Sequence, residues 1–248
     1  VTYLTFLLVF LIPPIVLLAV TQPRPLAGVG GWRGRWSIPL VCVIAMLYTT
    51  PWDNYLVYRQ VWWYGADRVL ATIGYVPVEE YLFFLLQPIM TGLLLYQFLA
   101  RSPHVERLGP ARGTAMAGTV FYVVLTAVGC WLLLAGGDQG LYMGLILAWA
   151  GPPLAGLWYY GAPIYHAHRR SFAGAVTLAT FYLWVADRTA INLGIWDISD
   201  RFSFDIDPLG LPVEEATFFL VTNLLVVQGT LLFLFGHLLP SRTSRLPS

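Results

Sequence analysis

The sequence predicts an all-α protein, a polytopic membrane bundle of about seven transmembrane helices. Three observations predict it. Of 248 residues, 58% are hydrophobic and only 11% are charged, where a soluble domain carries roughly 25% charged residues. Apolar windows recur at 2–20, 37–51, 80–100, 114–135, 141–160, 172–191 and 214–236, most of them near the length a helix needs to cross a bilayer. The charges between the windows also sort by side, as an odd number of crossings requires.

The first window has no basic segment before it and no small-residue cleavage signal near its end, so it reads as a retained helix and not as a signal peptide. The second is short unless it continues through Trp52 toward Tyr58. Several of the others contain Pro or Gly, which membrane helices tolerate when neighbours satisfy the freed backbone groups. The connections around 21–36, 101–113 and 161–171, with the C-terminal tail, hold Arg24, Arg33, Arg35, Arg101, Arg107, Arg112, Arg169, Arg170, Arg242 and Arg245, and one acid, Glu106. The opposite side holds Arg59, Arg68, Arg188 and Arg201 with the other twelve acids. The positive-inside rule makes the Arg-rich side cytoplasmic. The N-terminus is then outside, the C-terminus inside, and the protein belongs in the cell membrane.

A formal net charge of +1 gives no reason to expect a nucleic-acid partner. Cys42 and Cys130 both lie in apolar runs and read as small buried hydrophobes, not as a disulfide. The chain has no Lys, which excludes a covalent retinal Schiff base, the most obvious alternative for a seven-helix protein.

The sequence repeats itself once. Tyr3 with Pro13-Pro14 matches Tyr142 with Pro152-Pro153. Pro77-Val78-Glu79-Glu80 followed by Phe83-Phe84 matches Pro212-Val213-Glu214-Glu215 followed by Phe218-Phe219, at identical spacing. Upstream, Asp53 matches Asp187 and Trp62 matches Trp196. This divides the chain into a first repeat at 1–100, a linking span at 101–140, a second repeat at 141–237 and a tail at 238–248. The arrangement is three, one and three spans. Both repeats enter the membrane in the same direction, so a pseudo-twofold axis along the membrane normal relates them. Both Glu-Glu pairs then sit at the acidic end of the bundle.

Each motif opens a helix. Pro suits the first turn, where its missing N–H costs nothing, and Glu there is favoured by the helix dipole. The motifs therefore read equally as capped helix starts. Two features point to chemistry instead: the motif occurs twice with the same aromatic spacing, and it drives adjacent carboxyls toward the membrane, where ionisable groups are costly and often functional. Glu80, Phe84, Gln87 and Thr91 share one helical face, and Glu215, Phe219 and Thr222 the corresponding one, which suggests that Glu80 and Glu215 point inward. A carboxyl at an apolar boundary can remain protonated and act as a general acid, and aromatic faces stabilise a cation formed beside it. Trp52, Tyr55, Tyr58, Trp62, Trp63, Tyr64 and Tyr75 cluster near the first motif, and Trp184 and Trp196 near the second. Asp53, Asn54 and Asp187 either orient the glutamates or are ordinary loop-edge groups. Arg68 and Arg188 are candidate partners for a motif Glu. Asn223 and Gln87 need partners inside the bundle. His166 and His168 read as a solvated interfacial loop on the side opposite the acids. No metal site, phosphate loop or dinucleotide fingerprint is evident.

The duplicated Pro-Val-Glu-Glu with following Phe-Phe, together with Pro51-Trp52-Asp53-Asn54-Tyr55, resembles the membrane-type lycopene cyclase family over roughly residues 1–237. The resemblance is to the form that carries both halves on one polypeptide. It implies acid-catalysed, redox-neutral cyclisation of the linear ends of lycopene to β rings, through γ-carotene to β-carotene. It implies Glu79, Glu80, Glu214 and Glu215 as catalytic candidates, and Asp53 and Asp187, matched by the repeat, join them from the reading of the residues. Trp52, Asn54, Phe83, Phe84, Gln87, Phe218, Phe219 and Asn223 are the substrate-binding candidates. The substrate would be a lipid-soluble carotenoid reached from the membrane lipids, with other enzymes of the same pathway as candidate partners and no obligatory cofactor. The alternatives are a C50 carotenoid cyclase or hydratase, or a proton-coupled transporter using the same glutamates.

Overall fold

The computed structural model describes residues 1–23, 31–102, 105, 108–109 and 111–239. Arg24, His104, Glu106, Arg107, Arg242 and Arg245, and nearly all of the 238–248 tail, lie outside the described residues. The described chain is a bundle of eight helices: α1 (Tyr3–Phe10), α2 (Ile12–Val20), α3 (Trp32–Tyr58), α4 (Val78–Ala100), α5 (Arg112–Ala135), α6 (Leu141–Ala167), α7 (Arg169–Asn192) and α8 (Val213–Phe235). Five helical stretches are long and apolar enough to cross a membrane: Tyr3–Val20, α4, α5, α6 and Val213–Leu238. Large apolar side chains point outward along them and along α3, among them Leu47, Val124, Trp131 and Leu134, as expected of a surface solvated by lipid.

The first apolar window is not one continuous helix. Pro13 and Pro14 lack the N–H groups that would bond four residues back, and the rod breaks at Leu11 into α1 and α2. The carbonyl of Phe10, the partner Pro14 lacks, accepts a hydrogen bond from the Tyr182 hydroxyl at 2.6 Å. In α6 the carbonyl of Trp149, the partner Pro153 lacks, accepts one from the Tyr48 hydroxyl at 2.8 Å. Here the helix remains continuous across Pro152, Pro153 and Pro163. The second window is longer than its apolar core: α3 runs 27 residues through Pro39 and Pro51, and so carries Trp52 and Asp53 on helical backbone.

The centre of the bundle is α4 against α8. Helix α4 also packs on α2, α3 and α7, and α8 on α6, α7 and α3. A polar knot ties them together. Gln87 Nε2 and Thr91 Oγ1 both donate to Asn223 Oδ1 at 2.7 Å, and Asn223 Nδ2 donates to Thr180 Oγ1 at 3.1 Å. Asn223 and Thr91 are fully buried, where an unpaired amide would be costly. Helix α5 lies against α6 through small residues. A methyl group on Gly129 would stand 2.5 Å from the Ala148 amide nitrogen, and one on Gly151 2.1 Å from the Thr126 hydroxyl, so glycine is what permits the close approach.

The connections at one end form two short antiparallel ladders. Strand β1 (Trp62–Tyr64) pairs with β4 (Trp196–Ile198), and β2 (Thr72–Ile73) pairs with β3 (Val76–Pro77). The β1–β4 register sets Trp62 opposite Ile198, Trp63 opposite Asp197 and Tyr64 opposite Trp196. Two sequence expectations are corrected. Cys42 is buried, but Cys130 faces outward from α5. His168 is buried, stacked on Phe235 at 4.3 Å. It ends α6 where α7 begins, so its ring turns into the bundle and not into a solvated loop.

Candidate active site

The β1–β4 ladder roofs a chamber between the helix starts. Its walls include Asp53 from α3, Glu80 and Phe83 from α4, Asp187 from α7, and Glu215, Phe218 and Phe219 from α8. Tyr3, Tyr142, Tyr64, Trp62 and Trp196 complete it around a cavity of about 50 Å³. Four carboxyl side chains therefore share one small, aromatic-walled space. Asp53, Asp187 and Glu215 are buried, and Glu80 is half-buried.

The second Glu of each motif is held by a tyrosine from the helix that opens its repeat, Tyr3 on α1 and Tyr142 on α6. Tyr3 donates to Glu80 Oε2 at 2.7 Å, and Tyr142 donates to Glu215 Oε1 at 2.5 Å. Glu80 Oε2 accepts a second phenol, Tyr64, at 3.1 Å. Burial, with the Glu80 carboxyl beside it, pushes the Tyr64 phenol well above its ordinary range, so Tyr64 stays a donor. The Trp196 indole donates to Asp187 Oδ1 at 3.1 Å. One oxygen of each aspartate, Oδ2 of Asp53 and Oδ2 of Asp187, is buried without a hydrogen-bond partner among the described residues. Four ionised carboxylates cannot coexist in such a volume, because like charges at short range force protons to be retained. The chamber is therefore built to hold protons. The candidate cations are elsewhere: Arg68 donates to the carbonyls of Val1 and Leu193. Among the described residues the ion pair is Arg201 with Asp138, on the surface.

The first Glu of each motif does something else. Oε1 of Glu79 accepts the Leu70 amide at 2.8 Å, and Oε1 of Glu214 accepts the Phe204 amide at 2.8 Å. Both clamp the loop that precedes their helix. Asn54 likewise faces the β2–β3 hairpin. Its Oδ1 accepts the Tyr75 amide at 3.0 Å, and its Nδ2 donates to the Tyr81 hydroxyl at 3.1 Å. The turn needs Gly74, whose φ is +67°, and a Cβ there would meet Asn54 Oδ1 at 2.4 Å. Glu79, Glu214, Asn54 and Asn223 line neither this chamber nor the cavity beside it.

That second cavity, about 270 Å³, is almost wholly apolar. It runs between α3, α4, α6 and α8, lined by Ile44, Tyr48, Phe84, Gln87, Trp149 and Leu157 among others. Phe83 and Phe218 belong to both cavities, so the two meet at these rings. Trp52 lies behind Phe218 with its ring nearly parallel at 5.6 Å, and also stacks on Trp149 at 4.7 Å. Ile44 and Tyr48 are exposed, so the apolar cavity opens sideways at α3, toward the lipid.

Sequence reasoning did not single out Tyr3 and Tyr142 as site residues, although the repeat pairs them. Tyr64 was visible only as a member of an aromatic cluster, and Trp196 as such a member and as the repeat match of Trp62.

Comparison with known proteins agrees with this chemistry. The chain is 41% identical over 233 residues to a lycopene beta-cyclase found in two strains of Halobacterium salinarum, covering 94% of this chain and 95% of that protein. It is 37% identical over 210 residues to a bifunctional lycopene cyclase/phytoene synthase of Arthroderma gypseum, covering 78% of this chain and 35% of that longer protein. No family model matches, and no solved structure matches. An acid-lined aromatic chamber at the membrane, in a chain that aligns over 94% of its length with the archaeal enzyme, places this protein in the lycopene beta-cyclase family.

Proposed function

We propose that this chain converts the linear ends of lycopene to β rings, through γ-carotene to β-carotene, inside the acidic chamber. The observation that carries the reading is the junction at Phe83 and Phe218. There an apolar cavity open toward lipid meets a chamber lined by four carboxyl groups. The polyene lies in the apolar cavity along Phe84 and Gln87, and one end group passes the two phenylalanines. A protonated carboxyl delivers its proton to the terminal double bond. The resulting tertiary cation is attacked by the next double bond and closes a six-membered ring. A carboxylate then takes a proton from the ring carbon. The reaction gains and loses one proton and no electrons. Rings of Trp62, Trp196, Phe218 and Phe219 offer π faces to the cation. Glu80, Glu215, Asp53 and Asp187 are the proton-handling residues, while Glu79 and Glu214 hold the loops and Asn54 and Asn223 hold the frame.

The same reading takes the bundle as seven crossings arranged three, one and three, with repeats 1–100 and 141–237 joined through 101–140. Helices α3 and α7 have 27 and 24 residues, about 40 and 36 Å of helix, enough to span. Their polar residues Asp53 and Asp187 are buried against the chamber. Paired hydrogen bonds support the duplication: Tyr3–Glu80 with Tyr142–Glu215, Leu70–Glu79 with Phe204–Glu214, and Gly65 N to Ile195 O with Ser199 N to Val61 O. An antiparallel β1–β4 ladder centred on Trp63 and Asp197 is what a twofold axis between two parallel repeats produces. The arginine distribution supports an outer N-terminus and a cytoplasmic C-terminus in the cell membrane. Other carotenoid-pathway enzymes remain candidate partners for handing over so insoluble a substrate.

Expression in cells that accumulate lycopene, followed by pigment chromatography, tests the activity. β-Carotene is the expected product. Unchanged lycopene beside folded protein would sink the proposal, and an oxygenated product would transfer it to a hydratase.

A further inference from the structure

Where the β1–β4 ladder lines the chamber, its two halves differ at one pair of equivalent positions. Trp62 and Trp196 occupy corresponding places in the ladder, and two residues beyond them stand Tyr64 and Ile198. That difference redirects the hydrogen bonds on each side. In the first half the Trp62 indole donates to the Tyr64 hydroxyl at 3.3 Å, and Tyr64 donates to Glu80. In the second half no hydroxyl stands at 198, and the Trp196 indole donates to Asp187 instead. Glu80 thus receives two phenol donors on one oxygen, and Glu215 receives one. Donors to a carboxylate favour its anion, whereas burial with fewer donors favours the neutral acid.

We propose that the two glutamates are not interchangeable: Glu215 holds the proton that starts the reaction, Glu80 is the anionic partner that faces the cation and recovers a proton, and Tyr64 is the positioning residue that makes them differ. The chemical part of this assignment rests on the cyclase reading; the resting place of the proton does not. In the reaction, the terminal double bond of the polyene takes the Glu215 proton, its π pair forming the new C–H bond. The next π pair forms the ring C–C bond. A Glu80 oxygen accepts the proton lost from the ring carbon, and the electrons of that C–H bond become the ring double bond. The net change inside the protein is one proton moved from Glu215 to Glu80. Asp53 and Asp187, each within electrostatic reach of both glutamates, provide the route for its return.

Two measurements on purified full-length protein test this. Difference infrared spectra compare the parent protein with Glu215→Gln, Glu80→Gln and Tyr64→Phe. The expected result is loss of a protonated-carboxyl band in Glu215→Gln, loss of a carboxylate band in Glu80→Gln, and a carboxylate-to-protonated shift in Tyr64→Phe. Product analysis supplies the second readout. Glu215→Gln should lower lycopene consumption by about 100-fold or more, the scale of a lost general acid, without new products. Glu80→Gln and Tyr64→Phe should still consume lycopene but release rings with the double bond misplaced, because protonation survives and directed deprotonation does not. Reversed band assignments, or a Tyr64→Phe protein matching the parent in both readouts, would overturn the assignment. Tyr64→Phe removes one hydroxyl and keeps the ring, so it decides the matter even where a charge-removing variant fails to fold. Failure of the parent protein to turn over lycopene would instead remove the cyclase reading, and the infrared bands would still locate the proton.

Discussion

The Tyr48 hydroxyl donates at 2.8 Å to the Trp149 carbonyl, and that carbonyl is the one Pro153 leaves without its helical partner. The bond links α3 to α6 across the mouth of the apolar cavity, where the two rings also stack at 5.3 Å. Tyr48→Phe keeps the ring and orphans the carbonyl. The expected cost is about 1–2 kcal/mol, seen as a lower thermal midpoint in detergent. Tyr182→Phe should behave alike through Phe10. Unchanged midpoints in both would mean that lipid or local rearrangement satisfies the freed carbonyls.

Tyr142→Phe tests the chamber itself. It removes the one hydroxyl bonded to Glu215 among the described residues and leaves a buried ring among Trp62 and its neighbours. A hydrogen bond to a charged or charging group contributes about 1.5–3 kcal/mol, so lycopene turnover should fall about 10-fold or more while the protein stays folded. Pigment conversion per unit of folded protein checks it, and conversion equal to the parent protein's would contradict the role assigned to Tyr142.

The first glutamate of each motif should show a stability phenotype. Glu79→Gln keeps a carbonyl acceptor for the Leu70 amide, whereas Glu79→Ala leaves that amide unpaired. The alanine variant should lose about 1–2 kcal/mol and the glutamine variant much less, with turnover per folded molecule little changed in either. Glu214 and the Phe204 amide repeat the comparison. A glutamine variant that folds normally but is inactive would move these residues into the chemistry.

His168 predicts an acid sensitivity with a definite sign. Burial lowers its imidazole below the ordinary value of 6.5, and neither ring nitrogen has a hydrogen-bond partner among the described residues. The folded state therefore binds the proton less readily than the unfolded chain. Its contribution to stability is complete above about pH 6.5 and is lost as the pH falls through the lowered folded value. Thermal midpoints from pH 8 to pH 5 should decline more steeply in the parent protein than in His168→Phe, which preserves the stack on Phe235. Parallel curves would show that His168 binds its proton equally well in the folded and unfolded states.

Much of this protein was legible in its sequence. Hydropathy is a property of composition, so apolar helices followed from it directly. The spacing of Pro, Glu and Phe in each motif survived as geometry because one helix carries all of it: Glu80 and Glu215 reach the chamber, as the helical face through Phe84, Gln87 and Thr91 suggested. The break at Leu11 was less legible, since a tandem proline is tolerated in α6 and interrupts the α1–α2 rod. Asn54 and Asn223 looked like substrate contacts because they are polar residues near the motifs. Their partners, the Tyr75 amide and the Thr180 hydroxyl, are remote in sequence or lie on another element.

By itself the sequence determined the helical, membrane-apolar class of the chain, the repeated Pro-Glu-Glu motif and the acidic chemistry, because each is local to one helix or set by composition. Only the tertiary structure decided which carboxyls meet. Asp53, Glu80, Asp187 and Glu215 come from four different helices, and no local pattern records their convergence. It also decided how they differ. The contrast between Tyr64 and Ile198 has meaning only once β1 pairs with β4 and brings both positions over the same chamber.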